Sequence, residues 1–163
     1  MPEIPIREAA FAALAAALAG LSIDGEAMAV ERNRAADVDQ VARPLLVLLD
    51  GDQDAEDGST LEARYVLRAI AAGYLDGADD AQLARRVNEW HAKVVRAVMR
   101  PGGAAQVTDL VLGDGLTAVR VEEGPFATEA ATVVQSEAPL AACTQEFRLI
   151  VHAPWGNPFV TVP

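Results

Sequence analysis

Residues 61–75 read LEARYVLRAIAAGYL, and this stretch decides the fold. Ala63, Tyr65, Leu67, Ala69 and Ala71 fall on one side of a two-residue alternation, with Glu62, Arg64 and Arg68 on the other, the pattern of a half-buried strand. At about 3.3 Å per residue it would span roughly 50 Å, well beyond the usual five or six residues. A strand that overshoots its own core commonly pairs or packs with a neighbouring subunit, so the stretch points to an assembly part before it points to an enzyme. Its alanines also permit a helix over residues 65–74, and periodicity alone leaves that alternative open.

Directly downstream, residues 78–99 predict an amphipathic helix. Leu83, Val87, Trp90, Val94 and Val98 form one stripe at spacings of three and four, and Arg85, Arg86, Glu89, Lys93 and Arg96 take the other side. Asp79 or Asp80 can cap its N-terminus, Arg100 complements its C-terminal dipole, and Pro101-Gly102-Gly103 stops it. Upstream, residues 44–50 (PLLVLLD) are an unbroken apolar run of strand length, expected at the sheet centre with both faces covered. Residues 26–33 (EAMAVERN) can be a strand, and residues 51–60 (GDQDAEDGST) read as a polar loop. Residues 107–112 and 116–121 flank Gly113-Asp114-Gly115, a hairpin signal, and residues 124–130 read as an irregular excursion. In a last strand Gln145, Phe147, Leu149 and Val151 alternate with Glu146, Arg148 and His152, ending at the turn from Pro154 to Pro158.

Residues 9–21 are almost continuously apolar, yet Glu3 precedes them with no basic region beyond Arg7, and the run is too short for a span of about 20 residues. Phe11, Leu14, Leu18 and Leu21 share one helical face instead, with Pro5 suited to the first turn and Gly20 near the end, so residues 6–19 predict a helix laid on the core. The expected fold is therefore α+β, a single domain over residues 1–163 with a mixed, mostly antiparallel β-sheet flanked by two helices.

Charge bounds the partners. Thirteen Lys and Arg face twenty-four Asp and Glu, a formal net charge of −11, which argues against tight nucleic-acid binding and against anionic membranes. The single cysteine, Cys143, rules out an internal disulfide and reads as a small buried hydrophobe near a strand.

The chemical motifs are weak. Asp50, Asp52 and Asp54 imitate the opening of a calcium loop, but Ala55 and Leu61 stand where its glycine and bidentate glutamate belong. His91 and His152, with one cysteine, offer no zinc spacing, and no phosphate-binding glycine loop, GxSxG elbow or HExxH is present. No catalytic residue, cofactor or metal is expected. Trp155, in a Pro- and Gly-rich turn, either folds back over the core or projects as an anchor for a partner.

The order of segments resembles the tail terminator proteins of long-tailed bacteriophages and gene transfer agents. The likeness lies in the alanine-rich leading helix, the strand with Val30-Glu31-Arg32-Asn33-Arg34, and the run from Pro44 to Asp52. It continues through Tyr65-Val66-Leu67 and Gly73-Tyr74-Leu75-Asp76-Gly77 into the Trp90 helix, and ends on Glu146 to His152 with Gly156-Asn157-Pro158. It covers nearly the whole chain, rests on element order rather than a ligand signature, and is least clear over residues 107–140. It implies a homo-oligomer, a hexameric ring in the virion that caps the head-proximal end of the tail tube. Such a ring would stop tube polymerisation, meet the neck or head-completion protein and let DNA pass without specific binding. Under that reading the acidic segment with Asp50, Asp52, Asp54, Glu56 and Asp57 is a candidate lumen lining, since its field would repel passing phosphates. A head-completion or neck protein, and a small cytoplasmic ligand-binding α/β domain, are the alternatives.

Overall fold

The computed structural model describes residues 3–34, 43–57, 59–99, 107–111, 118–129 and 139–161. In chain order the elements are β1 (Glu3–Pro5), α1 (Ile6–Leu18), β2 (Ser22–Ile23), β3 (Glu26–Ala27), β4 (Ala29–Arg32), β5 (Leu45–Asp57), β6 (Glu62–Asp76), α2 (Asp80–Met99), β7 (Val107–Val111), β8 (Ala118–Glu129), β9 (Leu140–Pro154) and β10 (Phe159–Thr161). Six strands form one sheet in the order β4-β5-β6-β9-β8-β7, parallel only between β4 and β5. The fold is α+β, with a mixed, mostly antiparallel sheet.

The long strand is real. β6 runs fifteen residues and pairs over its whole length with β9, which is equally long. These two form the sheet centre. The apolar run at the start of β5, expected there, is one strand out, although Leu45 to Leu48 are buried on both faces as such a run requires.

Both helices lie on one face of the sheet. From β6, Leu67, Ala69, Ala71 and Leu75 share a core with Leu46 and Leu48 of β5 and with Cys143, Phe147, Leu149 and Val151 of β9. Onto it α1 places Phe11, Leu14 and Leu18, and α2 places Val87, Trp90, Val94 and Val98. Helix α1 touches both edge strands, β4 and β7, so the sheet curls around the helical layer. Trp90, fully buried, lies over Gly73 so closely that a Cβ at that position would sit 2.5 Å from its Cε2. Glycine in the middle of a strand marks such an approach.

Local chemistry sets the boundaries. Asp79 caps α2, accepting from the Gln82 amide at 2.7 Å, while the Gln82 side chain accepts from the Ala78 amide at 2.6 Å. Asp24 and Gly25, both at positive φ, close β2 onto β3 in a two-residue hairpin, so residues 26–33 hold two short strands rather than one.

Three further differences from the sequence reading have physical causes. Residues 51–57 are not a loop: they continue β5, paired with β6 as Gln53↔Leu67, Asp54↔Val66, Ala55↔Tyr65, Glu56↔Arg64 and Asp57↔Ala63. The overlong partner supplies a ladder that outweighs the poor strand propensity of Asp and Gly. Residues 124–129 are likewise strand, joined to β8 across an irregularity between Glu123 and Phe126. There the Gln145 amide donates to the Gly124 carbonyl at 2.9 Å, satisfying an acceptor at the break in the ladder. Arg86, placed on the polar side of its helix by spacing, is buried, with Nη2 2.7 Å from Glu26 and Nη1 3.7 Å from Asp76. Strands β7 and β8 form the expected hairpin, while Gly113-Asp114-Gly115 and the stop at Pro101-Gly102-Gly103 lie outside the described residues.

Candidate interaction surface

The acidic segment divides at a bulge. Between Asp50↔Ala69 and Gln53↔Leu67 two residues, Gly51 and Asp52, stand opposite Arg68, which reverses the alternation of β5. Asp50 therefore faces the helical side, and Asp54 and Glu56 face the open side.

Asp50 is drawn into a clamp that the sequence did not reveal. Arg32 donates through Nε to Asp50 Oδ1 at 2.9 Å and through Nη2 to Oδ2 at 2.5 Å, while Nη1 reaches Glu8 Oε1 at 2.6 Å. The Arg32 and Arg7 guanidinium groups lie 5.4 and 5.1 Å from the centroid of the Phe11 ring, and Arg7 donates to the Gly51 carbonyl at 2.5 Å. One arginine thus ties α1, β4 and β5 together. Hydrogen bonding to Arg32 holds Glu8 below the usual carboxylate range. Burial alone would raise Asp50, but hydrogen bonds with Arg32 and Asn33 outweigh it and hold that carboxyl low as well.

Because both carboxyls ionise more readily folded than unfolded, the stability they contribute is complete above about pH 4.5 and is lost as pH falls through their depressed folded values. Arg32→Met should therefore lower stability at pH 7 by about 2 kcal/mol, mostly through Asp50, since Glu8 is exposed and screened. It should also flatten the loss of stability between about pH 4.5 and pH 2. Urea titrations of parent and variant across that range check both. A parallel acid response in the two proteins would show that the clamp contributes nothing.

Beyond the bulge, Asp52, Gln53, Asp54, Ala55 and Glu56 are all exposed. Glu56 pairs with Arg64. Strand β4 reaches only to Arg32, opposite Leu48, so from residue 51 the outer side of β5 pairs with no described strand. Among the described residues it is an open sheet edge, and its acidic side chains blunt it against edge-to-edge pairing with itself.

At the end of this edge the β5–β6 turn meets the C-terminal turn. Ser59 Oγ accepts from the Leu61 and Glu62 amides at 3.2 and 3.1 Å, fixing the first turn. Trp155 docks on it, donating Nε1–H to the Ser59 carbonyl at 3.1 Å and its backbone amide to the Leu61 carbonyl at 3.4 Å. Trp155 is thus pinned against the neighbouring turn while remaining 46% exposed. Leu61, beside it, is 80% exposed, and with Phe159 at 42% these are the exposed large hydrophobics among the described residues. A rigid apolar tip beside an acidic strand has the anatomy of a protein-docking surface.

The other singled-out residues lie apart from one another. Cys143 is buried in β9, its Sγ 3.8 Å from the Gly73 carbonyl, and burial pushes its thiol up to about 12. His91 stacks on Phe126 with ring centroids 4.1 Å apart, and His152 is exposed on β9. Among the described residues no group of three or more His, Cys, Asp or Glu is placed to hold a metal ion. A shallow groove of about 390 Å³ between α2 and the ends of β8 and β9 is lined by Asp80, Leu83, Val87, Asn88, Thr128 and Ala141. No family model matches the chain, and no curated protein matches its sequence.

Proposed function

We propose that this chain is a virion structural protein that assembles into a six-membered ring, caps the head-proximal end of a phage tail tube, ends tube polymerisation and joins tail to neck. The observation that carries the reading is the tip: Leu61 and Trp155, held by Ser59 at the end of the longest strands, form a preorganised apolar anchor. Fixing such groups before binding reduces the ordering cost of docking, which suits steric capping of a polymer end. The observed order of leading helix, long antiparallel pair, second helix, antiparallel strand pair and long strand is compatible with the resemblance to tail terminator proteins, which rests on that order. The mechanism is shape and interface complementarity, with no bond made or broken.

The purified chain, alone or mixed with tail tube protein, should give a light-scattering mass about six times its 17.2 kDa. Deleting it from a phage that encodes it should give tails of uncontrolled length or tails unattached to heads. Leu61→Asp, at a site too exposed to disturb folding by more than about 0.5 kcal/mol, should leave rings intact and abolish capping. Normal tail length and infectivity without the protein would end the reading. Binding to a head-completion protein and not to tube protein would move the ring one joint along the neck.

A further inference from the structure

Among the described residues nearly every cation has a partner. Arg32, Arg64, Arg68, Arg86, Lys93, Arg120 and Arg148 are all in ion pairs. Arg85 and Arg96 differ. Both are exposed on α2 and make no ion pair or hydrogen bond. Eleven residues apart on a helix, they point within about 20° of one another and lie about 16 Å apart along the axis. Asn88 and Ala92, exposed between them, are small, and Glu89 on the same face is already held by Lys93, so the outward face of α2 carries a net positive charge.

The open edge of β5 has the complementary character. Asp52 and Asp54 are exposed and make no ion pair, although Asp52 stands near enough to Arg68 to act on its charge, and the acidic run from Asp52 to Glu56 covers about 13 Å of strand. It and the α2 face share no residue. Two copies meeting edge to edge would set acid against acid, which removes the isologous contact, whereas edge against helix sets exposed carboxylates on the two arginines of α2 that lack an ion pair. In a chain of net charge −11 that pairing also relieves the repulsion assembly must overcome.

We infer that the joint between neighbouring copies is heterologous: the acidic outer edge of β5, Asp52 to Glu56, on one protomer docks against the Arg85–Arg96 face of α2 on the next. This rests on the ring reading above and names its contact. It also moves the acidic segment from a lumen lining to a subunit joint.

Charge reversal tests it. One variant carries Asp52→Lys and Asp54→Lys, the other Arg85→Glu and Arg96→Glu. Since all four side chains are exposed, melting temperatures should stay within a few degrees of the parent. Each variant alone should be monomeric by light scattering at about 50 mM salt, at concentrations where the parent forms rings. An equimolar mixture should regain ring mass, because alternating copies restore every joint, and so should a chain carrying all four changes. Folded variants that form rings alone, or that stay monomeric when mixed, overturn the joint while the capping function stands. Rings of the Asp52→Lys, Asp54→Lys variant that gain salt-sensitive DNA binding place the edge on the lumen instead. Rings that lose only tube-protein binding place it against the tube. A parent chain that stays monomeric even with tube protein overturns both the joint and the ring.

Discussion

Trp90→Ala should remove about 3–5 kcal/mol, a large part of the 5–15 kcal/mol that holds a typical domain together. Trp90 is completely buried at the centre of the α2 stripe, between Val87 and Val94, and packs on Gly73 at the middle of the sheet. Truncation loses the transfer free energy of the indole and leaves a cavity that a two-helix layer on a curled sheet cannot close. Asn88→Ala, two residues away on the exposed side, should change stability by no more than about 0.5 kcal/mol. Urea midpoints measured side by side decide the matter, and equal small shifts for both would mean that α2 does not carry the core. Because the loss is global it should also abolish assembly at 37 °C, unlike Leu61→Asp, which touches only the surface.

What was legible in the sequence is what periodicity encodes. The three-four stripe of α2 repeats long enough to specify an element and its buried face, the two-residue alternation of β6 favours a strand while leaving a helix open over residues 65–74, and both elements lie where the spacing put them. The acidic half of β5 was not legible. Its apolar run stops at Leu49, and only pairing with β6, a contact between segments, makes residues 51–57 a strand. The bulge that turns Asp50 inward and Asp54 outward has no signature beyond Gly51.

Arg86 and Arg32 show the same limit for charge. Helical spacing put Arg86 in water, but Glu26 from the β2–β3 hairpin and Asp76 from the end of β6 converge on it and make burial tolerable. The Glu8–Arg32–Asp50 clamp draws on three elements and could have been guessed only as opposite charges near element ends. The tip was half legible. Trp155 was singled out from its turn, but not its seat on Ser59 or the company of Leu61, because the two turns meet only once β6 and β9 are in register.

Gly73→Ala should be nearly as damaging as truncating the tryptophan, although it adds a single methyl group. The new Cβ would stand 2.5 Å from Trp90 Cε2 and 2.8 Å from both Cζ2 and Nε1, distances that real Cβ atoms do not adopt. The obstruction is a rigid ring with no exposed end to swing away, so relief requires moving α2 off the sheet or forcing the indole from its rotamer, at a cost of about 3 kcal/mol. The origin of that cost is testable, because it belongs to the pair and not to the strand. In the Trp90→Ala background the ring is gone, and the added methyl group would fill part of the space it left on a backbone that favours alanine over glycine by about 0.5–1 kcal/mol. Gly73→Ala should then be neutral or stabilising, giving a coupling energy of about 3 kcal/mol in a double-mutant cycle. Additive losses would mean that Gly73 serves the strand conformation itself, and that the close packing of α2 on β6 is not what selects glycine there.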